Sequence, residues 1–247
     1  MKTSLRNMVS SISSPVESRL FAEYGAIFVT AATPPPVIMF SDSSEVEEFQ
    51  SSLRIGGGVF WEHYIELQFE AMKSLIRAAD EIAIRGGSLT ARASDAGRRS
   101  YDETVGLWTR NVSRGLDHWE NLGLISPDRA RIIRELTPAD QVAVILELEA
   151  MEQLYFGTFF DKSILYSVAA PGASQHLSML AFDVAEYQDE TLELTLNRFG
   201  WHRTVVNDLP HFTFLGYPEE ALGELGLKRV EHGYGPRSYH FWVLDLD

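Results

Sequence analysis

Two short segments of this 247-residue chain hold side chains that could bind a cation or move a proton. The first is Ser174-Gln175-His176-Leu177-Ser178-Met179-Leu180-Ala181-Phe182-Asp183, and the second is Asn207-Asp208-Leu209-Pro210-His211-Phe212. The chain has no cysteine, so disulfides, thiolate metal sites and cysteine nucleophiles are all excluded. A metal here would have to use His, Asp or Glu. On one helix His176 and Asp183 would stand about 10 Å apart along the axis, and on one straight strand more than about 20 Å apart. Donors must approach an ion to about 2 Å. Residues 177–180 must therefore fold back, with Asp183 on the strand that follows. Pro210 fixes the backbone ahead of a second strand on which His211, Thr213 and Leu215 share a face. That arrangement would offer His211 as a third ligand and put Asp208 within reach of a water on the metal. Taken alone, each segment reads first as ordinary structure, the second as a turn with a solvated Asp and a half-buried His.

The elements that must position these residues follow from periodicity and punctuation. Leu180 to Val184 and His211 to Leu215 are predicted strands, with a helix between them near Glu190 to Arg198. Tyr239 to Leu246 is predicted as a closing strand and Glu219 to Leu225 as a short helix. Upstream the texture is helical. The acidic segment from Ser44 starts a short helix, and Trp61 to Ile82 carries apolar residues at helical spacing (Ile65, Phe69, Met72, Ile76, Ala79). Ser100 to Trp119 is predicted as a helix with Val105, Trp108 and Val112 inward. Ser126-Pro127 and Thr137-Pro138 are helix starts, the second with Asp140 three residues after its cap. Val142 to Met151 is helical as well. Tyr24 to Thr30 reads as a strand stopped by Pro34-Pro35-Pro36, with Val37 to Phe40 as its hairpin partner. Gly56-Gly57-Gly58 reads as a turn before a helix, because no Lys-Ser/Thr follows to make a phosphate loop. Ile82-Ala83-Ile84 reads as a short strand. Helices cluster first and strands later without a βαβ rhythm, which predicts an α+β fold: a small antiparallel sheet carrying the site, packed with helices mostly from the N-terminal half. Residues 1–20 are expected to be loose, and 21–247 to form one domain with a helical N-terminal extension.

Composition sets further bounds. Hydrophobic residues make up 45% and charged residues 23%, enough to bury a core without staples. Lys plus Arg total 21 against 35 for Asp plus Glu, a net charge of −14 that repels phosphate backbones. With no basic stripe interleaved with aromatics, nucleic acid is not an expected partner. No run approaches the roughly 20 apolar residues of a membrane span. Asn7 to Arg19 is too polar for the core of a signal peptide. The compartment stays open between cytoplasm and, if a signal peptide was removed before this numbering, periplasm or exterior.

Together the two segments resemble the zinc peptidases that include D-alanyl-D-alanine carboxypeptidases, D-Ala-D-Ala dipeptidases and L-alanyl-D-glutamate endopeptidases, whose fold the Hedgehog signalling domain shares. The family's first motif, Pro-Gly-x-Ser-x-His followed by Ala-x-Asp, is similar to Pro171-Gly172-Ala173-Ser174-Gln175-His176 and Ala181-Phe182-Asp183. Its second, an acid, two residues and His-Phe, is similar to Asp208-Leu209-Pro210-His211-Phe212. A weaker likeness joins the family's Ser-Gly-Tyr-Arg-Ser to Ala96-Gly97-Arg98-Arg99-Ser100-Tyr101. The resemblance spans roughly Ile84 to Leu215, and the first 80 residues and the C-terminal tail have no counterpart in it.

The resemblance implies Zn2+ on His176, Asp183 and His211, with Asp208 as general base. It implies that Arg99 stabilises the reacting carbonyl, with Arg98 beside it as the alternative, and that Ser174 binds a substrate carboxylate or amide. The implied substrate is a peptidoglycan stem peptide or a small peptide with a D-residue. A non-catalytic binding module on the same scaffold is the competing expectation. Two departures stand out. Met179 occupies a loop position where the family usually has Gly. Asp208 replaces the Glu of the carboxypeptidase branch, and Asp-x-Pro-His-Phe is closer to the L-alanyl-D-glutamate endopeptidase branch. Of the other histidines, His202 is expected at the surface, with the cleft as the alternative. His118, beside Trp119, is expected to be structural. His63, His232 and His240 show no ligand spacing.

Overall fold

The computed structural model describes Leu5, Val9, Ser10, residues 12–234 and residues 237–246. The fold is α+β, with helices dominating the first two thirds and small antiparallel sheets around the site. Helix α1 (Pro15–Tyr24) is closed at its N-terminus by a capping box between Ser14 and Glu17. Residues 15–20 are thus helical rather than loose; the expectation for residues 1–4, 6–8 and 11 lies outside the described residues. A second helix, α2 (Ser43–Ser51), is capped by Asp42. A hairpin of β1 (Ile55–Phe60) and β2 (His63–Gln68) leads directly into α3 (Phe69–Ile84). The helical layer consists of α4 (Tyr101–Asn121), α5 (Pro127–Glu135) and α6 (Pro138–Glu147), the last running into a π turn, Leu148–Glu152. Ser126 and Thr137 cap α5 and α6 through the backbone N–H groups of Arg129 and Asp140, as their sequence signatures predict.

The central sheet has the order β3-β5-β4, with β3 (Ala181–Asp183), β4 (Trp201–His202) and β5 (His211–Phe214) all antiparallel. Between β3 and β4 lies α7 (Glu190–Arg198), where the sequence places it. A short helix, α8 (Glu219–Leu222), precedes the closing hairpin of β6 (Leu227–Tyr234) and β7 (Arg237–Leu244). The apolar interior falls into two main clusters. One joins the β1–β2 hairpin and α3 to the central sheet through Phe60, Ile65, Leu75, Phe182 and Phe212. The other joins α4–α6 and residues 154–170 through Trp108, Leu116, Val142, Ile145 and Phe156. No helix among the described residues is long and apolar enough to cross a membrane.

Five local expectations are corrected. Gly25–Val29, predicted as part of a strand, is a 3-10 helix, and all five residues are buried. A short apolar run buried on every side has no readable period, and here i→i+3 bonds close its backbone locally. Its expected partner, Val37 to Phe40, is not a strand; Phe40 N–H instead donates to Gly172 O. Gly56-Gly57-Gly58 is not a turn but the middle of β1. Glycine fits there because a Cβ on Gly56 would lie 2.9 Å from Met72, and one on Gly57 would strike the Tyr64 ring. The helix expected from Trp61 begins only at Phe69, and Ile82 to Ile84 is its last turn rather than a strand. Ile65 and Leu67 alternate inward on β2, and the helix buries Ala71, Met72, Leu75, Ala78 and Ile82 while Ile76 is exposed.

Two buried glutamines from the N-terminal part hold the loop between His176 and Asp183. Gln50 Nε2 donates to Leu177 O and Arg99 O, both at 3.0 Å, and its Oε1 accepts from Arg98 Nε. Gln68 Nε2 donates to Ser178 O and Thr33 O, both at 2.8 Å. Removing such an amide strands two buried carbonyls, at a cost of about 1–3 kcal/mol. Gln50→Ala is therefore expected to lower the melting temperature by roughly 2–4 °C per kcal/mol lost. Thermal unfolding of the variant with an unchanged midpoint would contradict this tie.

Candidate metal centre

The turn after Ala170 explains the Pro171-Gly172 pair. Gly172 takes φ +81°, and a Cβ there would stand 2.0 Å from Phe40 O. Gly172→Ala is expected to cost more than the roughly 1–2 kcal/mol of a left-handed residue alone, because residue 40 must also move. A calorimetric unfolding scan indistinguishable from the parent protein would contradict it. The chain then makes one 3-10 turn, Gln175–Ser178, and reverses at Met179 with φ 55°. Met179 thus takes a conformation that glycine adopts without strain, while its side chain is fully buried. This is the fold-back that brings His176 to Asp183. β3 then pairs Asp183 directly with His211 on β5.

The three side chains converge. His176 Nε2 lies 3.3 Å and His211 Nδ1 3.2 Å from the same oxygen, Asp183 Oδ1. All three donor atoms fall within 4.8 Å of one another. Atoms 2.0–2.1 Å from a tetrahedral centre stand about 3.3 Å apart, so this spacing fits one small divalent ion. The chemistry fits as well. His176 Nδ1 donates to Gly97 O at 2.7 Å, which leaves Nε2 as a bare lone pair aimed at a carboxylate oxygen. Burial pushes the His176 pKa down and keeps the ring neutral. Burial pushes the Asp183 carboxyl up, but when the two facing histidines carry protons towards it they outweigh burial and hold it well below the ordinary carboxylate range. A neutral imidazole facing a carboxylate is a cation's donor set. Two nitrogens and one oxygen suit Zn2+.

Around this centre opens a cleft of about 440 Å³. Its walls come from α4 (Thr104, Leu107, Asn111), from residues 165–169, and from the turn 205–208. Asp208 sits on that turn, held by its own N–H to Val205 O and by His211 N–H to Asp208 O. It keeps contact with solvent at the mouth, yet the cleft walls displace much of the surrounding water. That desolvation raises its pKa above the ordinary carboxylate value; His211 pulls it down and Asp183 pushes it up. Arg99 also lines the cleft. Its Nη2 donates to Asp183 Oδ2 at 3.0 Å, and its Nε contacts Asp95. Arg98 turns away to Glu66 and Gln50. Ser174 is buried and faces the same cleft.

All six residues singled out in the sequence, His176, Asp183, His211, Asp208, Arg99 and Ser174, therefore meet in one place. His202 does not join them, and it is not at the surface either. It is fully buried on β4, and its Nε2 contacts Tyr217 O at 2.8 Å. His118 stacks on Phe160 with ring centroids 4.1 Å apart, a packing role. Sequence reasoning missed Tyr24, Arg92 and Gln175, which also line the cleft. Gln175 was visible as the variable position between Ser174 and His176. Tyr24 and Arg92 carried no signal, since nothing local marks them as neighbours of the site.

No protein-family model matches the chain, and no curated protein matches it. Among solved structures the chain is similar to the crystal structure of a mutant of the vancomycin-resistance D,D-pentapeptidase VanY from a VanB-type resistance cassette, in complex with Zn(II). The identity is 15% and the TM-score 0.37, over 67% of this chain and 82% of that one.

Proposed function

We propose that the protein is a zinc-dependent peptidase that hydrolyses peptide bonds involving D-amino acids in peptidoglycan stem peptides. The observation that carries this reading is the convergence of His176, Asp183 and His211 at the base of a cleft whose wall bears an ionisable carboxylate, Asp208. Zinc held by His176, Asp183 and His211 would supply a Lewis acid that lowers the pKa of a water beside it towards neutral. The remaining chemistry belongs to the protein. Asp208 accepts the proton of the attacking water and passes it to the leaving amine. Arg99 holds Asp183 Oδ2 with one arm and stabilises negative charge developing on the substrate carbonyl oxygen with another. Ser174 binds a carboxylate or amide of the substrate.

The choice of bond follows from the base. Aspartate is one methylene shorter than glutamate, so the attacking water, and with it the scissile carbonyl, must sit closer to the strand that carries His211. The Asp-x-Pro-His-Phe arrangement favours the bond between L-Ala and D-Glu over the terminal D-Ala-D-Ala bond. Digestion of a defined pentapeptide containing L-Ala-D-Glu and D-Ala-D-Ala tests this. Fragments split after L-Ala are expected. Release of free D-Ala with the L-Ala-D-Glu bond intact would reassign the protein to the carboxypeptidase type, and no cleavage of either bond would overturn the peptidase reading.

A further inference from the structure

We infer that Gln175 is a positioning residue that fixes the tautomer of His211, its amide oriented by a bond to the end of helix α1. The inference rests on the metal-site reading above but is read from different atoms. Gln175 is buried, and its side chain spans two structures. At one end Nε2 lies 2.9 Å from the backbone carbonyl of Tyr24, the last residue of α1. At the other end Oε1 lies 2.9 Å from His211 Nε2 and within hydrogen-bond reach of the Thr213 and Thr204 hydroxyls.

The direction of each bond is forced in turn. A carbonyl can only accept, so the amide must present its NH2 to Tyr24 O and its oxygen to His211. An amide oxygen can only accept, so His211 Nε2 must carry the proton. A neutral imidazole carries one N–H, so Nδ1 is left as a bare lone pair, and Nδ1 is the atom 3.2 Å from Asp183 Oδ1. The opposite tautomer would leave Nε2 unprotonated against an oxygen and place a proton where the ion belongs. The two threonine hydroxyls hold the amide oxygen from the sides, and Thr213 is itself on β5, two residues from His211 and on the same face. Gly97 O does the same service for His176, but that acceptor is backbone and immune to substitution. The His211 half of the metal centre depends on one side chain, and the orientation of that side chain depends on Tyr24. Helix α1, for which the sequence offered no functional counterpart, thereby orients the amide that faces His211.

Two variants separate this role from simple packing. Gln175→Met fills the space without an acceptor, and Gln175→Glu keeps an acceptor oxygen; both lose the donor to Tyr24 O. Zinc affinity, measured by competition with a chelating dye, is expected to fall roughly 10- to 100-fold in Gln175→Met, the usual cost of losing an outer hydrogen bond to a ligand histidine. It is expected to stay within a few-fold of wild type in Gln175→Glu. Equal loss in both variants would mean a merely structural tie to Tyr24 and would overturn the inference, as would wild-type affinity in Gln175→Met. Nitrogen chemical shifts of His211 in the metal-free protein give a second readout that needs no zinc. The wild type should show the Nε2–H form, and an Nδ1–H form would overturn the assignment. Should the wild type bind no zinc at all, the metal reading fails, while the chemical shifts still decide the role of Gln175.

Discussion

Replacing His211 with alanine is expected to strip the protein of zinc and of hydrolytic turnover together. The substitution leaves His176 Nε2 and Asp183 Oδ1 as the remaining pair of donors. Two donors cannot hold the ion in the closed arrangement that three define, and the loss should exceed the roughly 100-fold that removal of an outer hydrogen bond costs. His176→Ala should behave alike, since its Nε2 stands at the same distance from Asp183 within 0.1 Å, 3.3 against 3.2 Å. Elemental analysis of purified variants reads this directly. The parent protein should hold about one zinc per chain and both variants little. Full occupancy in both would mean that the metal, if any, lies elsewhere.

Asp208→Asn is expected to keep the zinc and lose most of the rate. An amide of the same size fills the same place on the 205–208 turn but cannot take a proton from water. Removing a general base costs on the order of 10²- to 10⁴-fold. The pH profile carries the same signature. The base works only when ionised, so kcat/KM must fall as pH drops through its pKa. Desolvation in the cleft raises that pKa and a bound cation lowers it, so the position of the acidic limb reads their balance in the zinc-loaded protein. The Asn variant should lose this acidic limb along with the rate. An Asn variant with parental turnover would move the base to another residue, and Asp95, which also lines the cleft, would be the next to test.

The site was more legible in the sequence than the fold that carries it. His176, Asp183 and His211 could be joined because the two segments together resemble the motifs of a zinc peptidase family, although each alone reads as ordinary structure. The requirement that residues 177–180 fold back follows from covalent reach alone. The caps at Ser126 and Thr137 and the helix Glu190–Arg198 were legible for the same reason: their signals lie within a few residues. What escaped was set by distant partners. Gly56-Gly57-Gly58 is strand because it pairs with Leu67, Glu66 and Ile65 of β2, and glycine's local preference says nothing of that. Gly25–Val29 is buried between other elements, so its apolar run has no face to reveal. Leu227–Tyr234 pairs across a hairpin whose first strand is too mixed in polarity to announce itself. The role of Gln175 needed the position of Tyr24, 151 residues away.

Digestion of muropeptides by the purified protein, with and without zinc, tests the central claim most directly. With one zinc bound per chain, mass spectrometry should find stem peptides cut at a bond next to a D-residue. The products should vanish when a chelator removes the metal and return when zinc is restored. Intact muropeptides in the presence of the fully zinc-loaded protein would contradict the account, and would leave a metal-binding module in place of an enzyme.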